Sequence, residues 1–202
     1  MFGVYNTALW PAAALLWVVT LVVMLAFYLR RARMSRVVLV VLAIHWLWSG
    51  IVYHLMYFRV INPAATLFAG LFIVQGVLLL QRSLFSEFTL SSHATGWSRV
   101  GMALVAYSLV YPGLGLLAGL AYPRMPVFAV PCPTTILTAG VLLSAPVRDA
   151  RWLSVIPILW AGIGGSAAFA LGIHADLGLV AAGAVLLAFV LVGPRPSVAT
   201  AR

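Results

Sequence analysis

Seven long stretches without a charged residue constrain the fold of this 202-residue sequence more than any other feature. An α-helix needs about 20 apolar residues to cross the roughly 30 Å hydrocarbon core of a bilayer. Backbone polar groups cannot stay unpaired in lipid, so such stretches form helices or a closed barrel. Their apolar residues do not alternate with a period of two, which favours helices. We predict helices at residues 10–29, 37–58, 63–81, 100–120, 133–147, 152–173 and 177–193.

The composition excludes several other classes of protein. Only 7% of the residues are charged and 64% are hydrophobic, whereas a soluble domain carries about 25% charged residues. The net charge of +9 comes from arginines scattered between apolar runs, so we expect a lipid bilayer rather than nucleic acid as the partner. The absence of lysine excludes a retinal Schiff base. We therefore predict one transmembrane domain over residues 1–202.

The distribution of arginine predicts the orientation. If the N-terminus lies outside, ten arginines face the cytoplasm, and only Arg59 and Arg124 face the other side. No basic region precedes the first span, which argues against a cleaved signal peptide. The sequence thus predicts an all-α bundle of seven spans in a bacterial inner membrane, with the N-terminus outside and the C-terminus in the cytoplasm.

The segment before the fifth span is broken by prolines, namely Pro123, Pro126, Pro131 and Pro133. Proline lacks a backbone N–H and disfavours helix in the residue before it, so we predict that residues 121–132 are not helical. The fifth window has 15 residues and covers only about 22 Å, so its outer end should lie below the membrane surface. A helix that starts there at Pro133 would present free N–H groups to a polar or anionic ligand. The alternative is a packed structural plug without a ligand.

Polar side chains near this helix start define a candidate site for a small solute or ion. His54 and Tyr57 lie near the outer end of the second span, and Asn62 lies in the turn that follows, where it could also cap a helix. The candidate binding residues are His54, Tyr57, Asn62, Pro131, Cys132, Thr134 and Thr135. The alternative for His54 is a hydrogen bond to a tyrosine, an amide or a backbone carbonyl inside the bundle. Cys132 could equally be a small buried hydrophobe.

A haem or metal site is a third possibility, with no identified cofactor. Weak candidate ligands on the outer face are His54, Cys132, His174 and Asp176. His45 and His54 are nine residues apart, which places them on opposite faces of a helix, so they cannot share one metal.

The sequence contains no catalytic motif and no acid within a predicted span, which argues against an enzyme and against an ion-coupled pump. A second alternative is an accessory subunit of a larger membrane complex. Small residues that could mediate helix packing, self-association or contact with another subunit are Gly115, Gly119, Gly164, Ala168, Gly172, Gly178, Ala181 and Ala182.

Four segments together resemble an uncharacterised family of bacterial multi-pass membrane proteins, catalogued as a domain of unknown function. They are YNTALWPAA (5–13), YHLMYFRVINPAATLFAG (53–70), YPRMPVFAVPCPTTILTAG (122–140) and IPILWAGIGGSAAFALGIHADLGLVAAG (156–183). The PCPTTI motif and the YH…F…INPAA segment are the most specific parts. The resemblance implies an inner-membrane protein and no established activity.

Overall fold

A computed structural model describes residues 1–30, 34–86, 88–90, 95–171 and 176–194, except for the side chains of Arg30 and residues 167–171. All regular secondary structure in these residues is helical, which confirms the all-α prediction. The α-helices are α1 (Phe2–Arg30), α2 (Ser35–Trp48), α3 (Ala65–Phe85), α4 (Gly96–Leu117), α5 (Pro131–Leu142), α6 (Val147–Leu171) and α7 (Leu177–Val192).

Several of these helices are suited to a membrane. Within the described ranges, α1, α2 with its continuation, α3 and α4 are long and apolar enough to cross a bilayer. Helices α5 and α7 are apolar but shorter. The predicted fifth window, 133–147, differs from α5, which starts two residues earlier and ends at Leu142. The chain then turns over residues 143–146 before α6 begins.

Helix α5 lies at the centre of the bundle. Eleven of its 12 residues are buried, and it packs against α2, α4, α6 and α7. Its closest approach is to α4, where a Cβ added at Gly101 would lie only 2.4 Å from the backbone oxygen of Gly140. The two glycines therefore allow backbone contact that any larger residue would prevent.

Helix α1 lies at the edge of the bundle, with side chains such as Leu15 64% exposed. Polar contacts hold it in place. The Tyr5 hydroxyl donates to the carbonyl of Ala129 at 2.5 Å, and Trp17 Nε1 donates to the carbonyl of Leu109 at 2.9 Å. Thr20 Oγ1 and His45 Nε2 are 2.7 Å apart.

Helix α2 continues without interruption into a π-helical segment, Ser49–Tyr57, and a 3₁₀ turn, Phe58–Val60. Gly50 lies against α3, and a Cβ there would be 3.1 Å from the backbone oxygen of Ala69. The π-helical segment carries Tyr53 and His54 into the bundle interior. Widened helical turns of this kind occur often at functional sites.

Small residues pack mainly between helices of the same chain. Gly164 faces Leu179, Gly178 faces Tyr107, and Gly183 faces Ala161, each too closely to admit a Cβ without a shift. Ala182 is buried between helices as well, whereas the Ala168 side chain and Gly172 lie outside the described residues.

The Gly115–Gly119 pair has a different role from the predicted helix contact. Gly119 has φ = +82°, and the N–H of Leu120 donates to the carbonyl of Gly115 at 3.0 Å. This is the hydrogen-bond pattern of a glycine-terminated helix end, so Gly119 terminates α4.

An ion pair between Arg82 and Asp149 joins the last turn of α3 to the first turn of α6. An acid in the first turn of a helix also interacts favourably with the helix dipole. Both side chains are partly exposed, so the pair contributes little to stability.

Candidate functional site

The segment before α5 enters the bundle. The predicted non-helical range, 121–132, is too long by two residues, because Pro131 and Cys132 already belong to the first turn of α5. Residues 120–130 are not helical, and Phe128, Ala129 and Val130 are buried. The N-terminal end of α1 holds this segment, because Asn6 Nδ2 donates to the carbonyls of Pro123 and Met125 at 2.7 and 2.8 Å. The irregular backbone is therefore packed within protein, the condition for its presence at membrane depth.

The first turn of α5 offers few free N–H groups. The helix begins at Pro131 with Val130 as its N-cap residue, so both Pro131 and Pro133 fall within the first turn. Neither proline has an N–H, and the N–H of Thr134 donates to the carbonyl of Val130 at 3.3 Å. Only the N–H of Cys132 is left in this turn. The expectation of several free N–H groups that would hold an anion is therefore wrong.

The threonines of α5 are buried and hydrogen-bonded. Thr135 Oγ1 donates to the carbonyl of Pro131 at 2.9 Å, and Thr138 Oγ1 donates to that of Thr134 at 2.8 Å. The Thr138 hydroxyl also accepts from Trp46 Nε1 at 2.8 Å. The Trp46 hydrogen bond joins α5 to α2. The Thr135 hydroxyl is used within α5, which argues against a role for it in an open site.

Two serines from other helices complete this hydrogen bonding. Ser108 Oγ on α4 donates to the carbonyl of Pro133 at 2.9 Å, and Ser49 Oγ lies 3.5 Å from Thr134 Oγ1. The start of α5 thus has polar neighbours on two sides and is not surrounded by hydrocarbon alone.

A buried carboxylate lies beside Cys132. Asp176, which is 6% exposed, precedes α7 and accepts a hydrogen bond from the Tyr111 hydroxyl. The Cys132 thiol is within hydrogen-bonding reach of the same carboxylate, and Tyr53 and Tyr107 are close enough to interact with it electrostatically. We call Tyr53, Tyr107, Tyr111, Cys132 and Asp176 the carboxyl cluster.

Burial raises the pKa of Asp176 above its ordinary value of 3.8, and the hydrogen bonds from Tyr111 and Cys132 oppose that rise only in part. No arginine or histidine pairs with Asp176 among the described residues, where the recorded ion pair is that of Arg82 with Asp149. His174 lies outside the described residues. The cluster therefore holds one carboxyl group in a poorly solvated position, where burial disfavours its charged form.

His54 is buried among aromatic rings rather than at the start of α5. Its ring centroid lies 4.9 Å from that of Phe72, 5.3 Å from that of Trp160 and 5.1 Å from that of Tyr53. Neither ring nitrogen has a hydrogen-bond partner among the described residues. The predicted hydrogen bond of His54 to a tyrosine, an amide or a carbonyl is therefore wrong, because rings from α3 and α6 fill the space around it.

Tyr57 and Asn62 have partners other than Asp176. The Tyr57 ring packs edge-on against Tyr5, with centroids 5.3 Å apart. Asn62 Oδ1 accepts a hydrogen bond from the N–H of Ala64 at 3.0 Å in the turn before α3, whose N-cap residue is Ala64 rather than Asn62. Of the predicted binding residues, only Cys132 is shown beside the Asp176 carboxylate. Thr134 follows Pro133 on the same helix, α5.

Residues 1–199 match a family of unknown function, DUF6064. The chain belongs to this family. The match covers every described helix and the carboxyl cluster, and it confirms the predicted resemblance to an uncharacterised family. No curated protein and no solved structure matches this DUF6064 protein.

Sequence reasoning missed most of the groups that surround the start of α5 in this DUF6064 protein. Tyr5, Asn6, Ser49, Ser108 and Tyr111 are all polar residues with buried hydrogen-bonding groups inside or beside predicted spans. Polar residues within apolar spans are unusual and often functional. Their presence in or beside the predicted spans is the signal by which these residues could have been identified. Asp176 was considered only as a weak metal ligand. No group of three or more His, Cys, Asp or Glu side chains that could hold a metal occurs among the described residues.

Proposed function

We propose that this DUF6064 protein is a multi-pass protein of the bacterial inner membrane, with seven spans, its N-terminus outside and its C-terminus in the cytoplasm. The ten-to-two division of arginines supports this orientation. Four helices of sufficient length and apolarity support membrane insertion. In this arrangement the carboxyl cluster is at the outer side, because the segment before α5 and the turn before α7 are both outer connections.

We further propose that the carboxyl cluster binds a small cationic solute or ion. The observation that carries this proposal is the burial of Asp176 without a basic partner in the described part of the chain. A carboxylate with poor access to water attracts a cation much more strongly than one in bulk solvent does. The same negative charge would repel an anion. We therefore propose a cation in place of the polar or anionic ligand that the start of α5 had suggested.

The neighbouring side chains are suited to such a ligand. Hydroxyl groups of tyrosines can coordinate a metal cation, and tyrosine rings can attract an organic ammonium ion. Cys132 is the one residue of α5 that is partly exposed, although burial raises the pKa of its thiol.

The proposal is tested by thermal unfolding of the purified protein in detergent with sodium, potassium or methylammonium chloride at constant ionic strength. Asp176→Asn removes the carboxylate, and Asp149→Asn is the matched control because it removes the same charge elsewhere. A ligand that binds only the folded state raises stability with concentration in a saturable way. We expect one of these cations to do so for the wild type and Asp149→Asn, and not for Asp176→Asn. The absence of any saturable shift, or an equal shift in Asp176→Asn, would contradict the proposal.

The two alternatives gain little from the structure. The small residues that suggested an accessory subunit, such as Gly164 and Gly178, are occupied by contacts within the chain. Of the four candidate metal ligands, Cys132 and Asp176 lie together, whereas His54 lies among aromatic rings and His174 is outside the described residues.

A further inference from the structure

A groove of about 730 Å³ runs between α1 and α4 on the outside of the bundle. Its walls include Leu9 and Trp10 on α1 and Val110 on α4. Small residues create the space, because Ala14 faces it from α1 and a Cβ at Gly113 on α4 would meet no atom within 4 Å. The groove is therefore a gap between two helices.

The groove opens onto the surface that faces lipid in a bilayer. Trp10 and Val110, one on each wall, are 60% and 55% exposed. Trp17 Nε1, which donates to the carbonyl of Leu109, joins the two helices along the groove. An apolar gap between membrane helices that opens sideways is filled by apolar chains, since water in it would find almost no polar partners.

One end of the groove is polar. Asn6 lines it and is 2% exposed, and both hydrogens of its amide nitrogen are used by the carbonyls of Pro123 and Met125. Its Oδ1 has no partner among the described residues. A buried acceptor without a donor costs free energy. A ligand group that donates a hydrogen bond to Asn6 Oδ1 would remove this cost.

The same end carries a positive charge nearby. Arg124 is exposed and passes beside the start of α1, where a Cβ added at Gly3 would lie 3.8 Å from its Cγ. Tyr122, which also lines the groove, is half exposed, and its hydroxyl donates to the backbone carbonyl of Asn6 at 3.1 Å. The polar end thus combines a hydrogen-bond acceptor with a cation.

We propose that this groove holds one acyl chain of phosphatidylethanolamine, with the ammonium group donating to Asn6 Oδ1 and the phosphate facing Arg124. The headgroup supplies both features that the polar end lacks, a donor and a negative charge. Phosphatidylcholine has the same phosphate and chains but no N–H donor. This lipid site is independent of the carboxyl cluster, since neither Cys132 nor Asp176 lines the groove.

The acyl-chain part of the proposal is tested by native mass spectrometry of protein purified in detergent with added phosphatidylethanolamine. Gly113→Phe fills the groove. Gly162→Phe on α6 is the matched control, because Gly162 also has open space around its Cβ and does not line the groove. We expect one retained lipid in the wild type and in Gly162→Phe, and at least tenfold less in Gly113→Phe. Equal retention in all three proteins would overturn the proposal.

A second blocking variant, Ala14→Phe, covers the case in which Gly113→Phe fails to fold, because it fills the groove from the opposite wall. The headgroup part is tested by replacing phosphatidylethanolamine with phosphatidylcholine or phosphatidylglycerol in the same measurement. We expect the wild type to retain phosphatidylethanolamine at least tenfold better than either. Equal retention of phosphatidylcholine, or preferential retention of phosphatidylglycerol, would overturn the assignment of an amine donor.

Discussion

Helix α1 is long and mostly exposed, whereas helix α5 is short and almost entirely buried. Helix α1 has 29 residues, yet only 28% of its most apolar window is buried. Helix α5 has 12 residues, and eleven of them are buried. Among the described α-helices, the longest therefore lies at the periphery and the shortest forms the centre.

The difference shows which sequence features mark a buried helix in a protein of this composition. Hydrophobicity does not, since lipid is as apolar as a protein core and a lipid-facing helix is as apolar as a central one. The buried helix is marked instead by Thr134, Thr135 and Thr138, whose hydroxyls have partners inside the bundle, and by Gly140 at a close crossing.

The largest expected effect comes from shortening a leucine on each helix. Leu137→Ala on α5 removes a fully buried side chain and should lower the free energy of unfolding by about 2–5 kcal/mol. Leu15→Ala on α1 changes an exposed side chain and should cost less than about 0.5 kcal/mol. Chemical unfolding in detergent measures both, and equal losses would break the comparison.

A methyl group added at the crossing of α4 and α5 should have the next largest effect. A Cβ at Gly140 would lie 2.6 Å from the backbone oxygen of Gly101 and 3.0 Å from the backbone nitrogen of Val105. Backbone atoms cannot easily yield, so Gly140→Ala should destabilise by about 1–3 kcal/mol. Gly70→Ala, at an open position on α3, is the control. A melting temperature of Gly140→Ala equal to that of the control would show that the two helices separate readily.

The hydrogen bonds of Tyr5, which join α1 to the segment before α5 and to α2, should together contribute about 2 kcal/mol. Tyr5→Phe removes two hydrogen bonds, one to the carbonyl of Ala129 and one from Trp48 Nε1, each worth about 1 kcal/mol. Tyr57→Phe, which alters the neighbouring ring, is the control. We expect limited proteolysis between residues 118 and 130 to become faster in Tyr5→Phe alone. Unchanged cleavage would mean that α1 does not hold this segment.

The smallest expected effect is a pH dependence of stability caused by Asp176, which precedes α7 and lies beside the start of α5. Burial raises its pKa in the folded state above 3.8, so the folded protein retains a proton that the unfolded chain releases. The free energy of unfolding should therefore fall as the pH rises from about 3.8 through the raised pKa, and then level off. Asp176→Asn should remove this decline. Parallel pH profiles of the wild type and Asp176→Asn would contradict the prediction.

The parts of the structure that follow from local sequence were predictable. Uncharged runs located the helices, and prolines located the non-helical segment before α5 to within a residue or two. The hydrogen bond of Asn62 in the turn before α3 is also local, since its partner is only two residues away.

The contacts of the candidate site were not predictable, because they join distant parts of the chain. Tyr111 and Asp176 are 65 residues apart, and Asn6 and Met125 are 119 residues apart. The surroundings of His54 depend on a π-helical segment that rotates the chain relative to an ordinary helix, and on rings from two other helices. No periodicity in a single sequence contains that information.

The length of α1 also bears on how the protein would respond to the thickness of its membrane. At 1.5 Å per residue, its 29 residues extend about 43 Å, well beyond a hydrocarbon layer of about 30 Å. A helix that exceeds the layer adapts by tilting, and thinner membranes demand more tilt. Because α1 is the peripheral helix, hydrophobic mismatch would be absorbed there, and the α1–α4 gap would change width while α5 and its surroundings stayed in place.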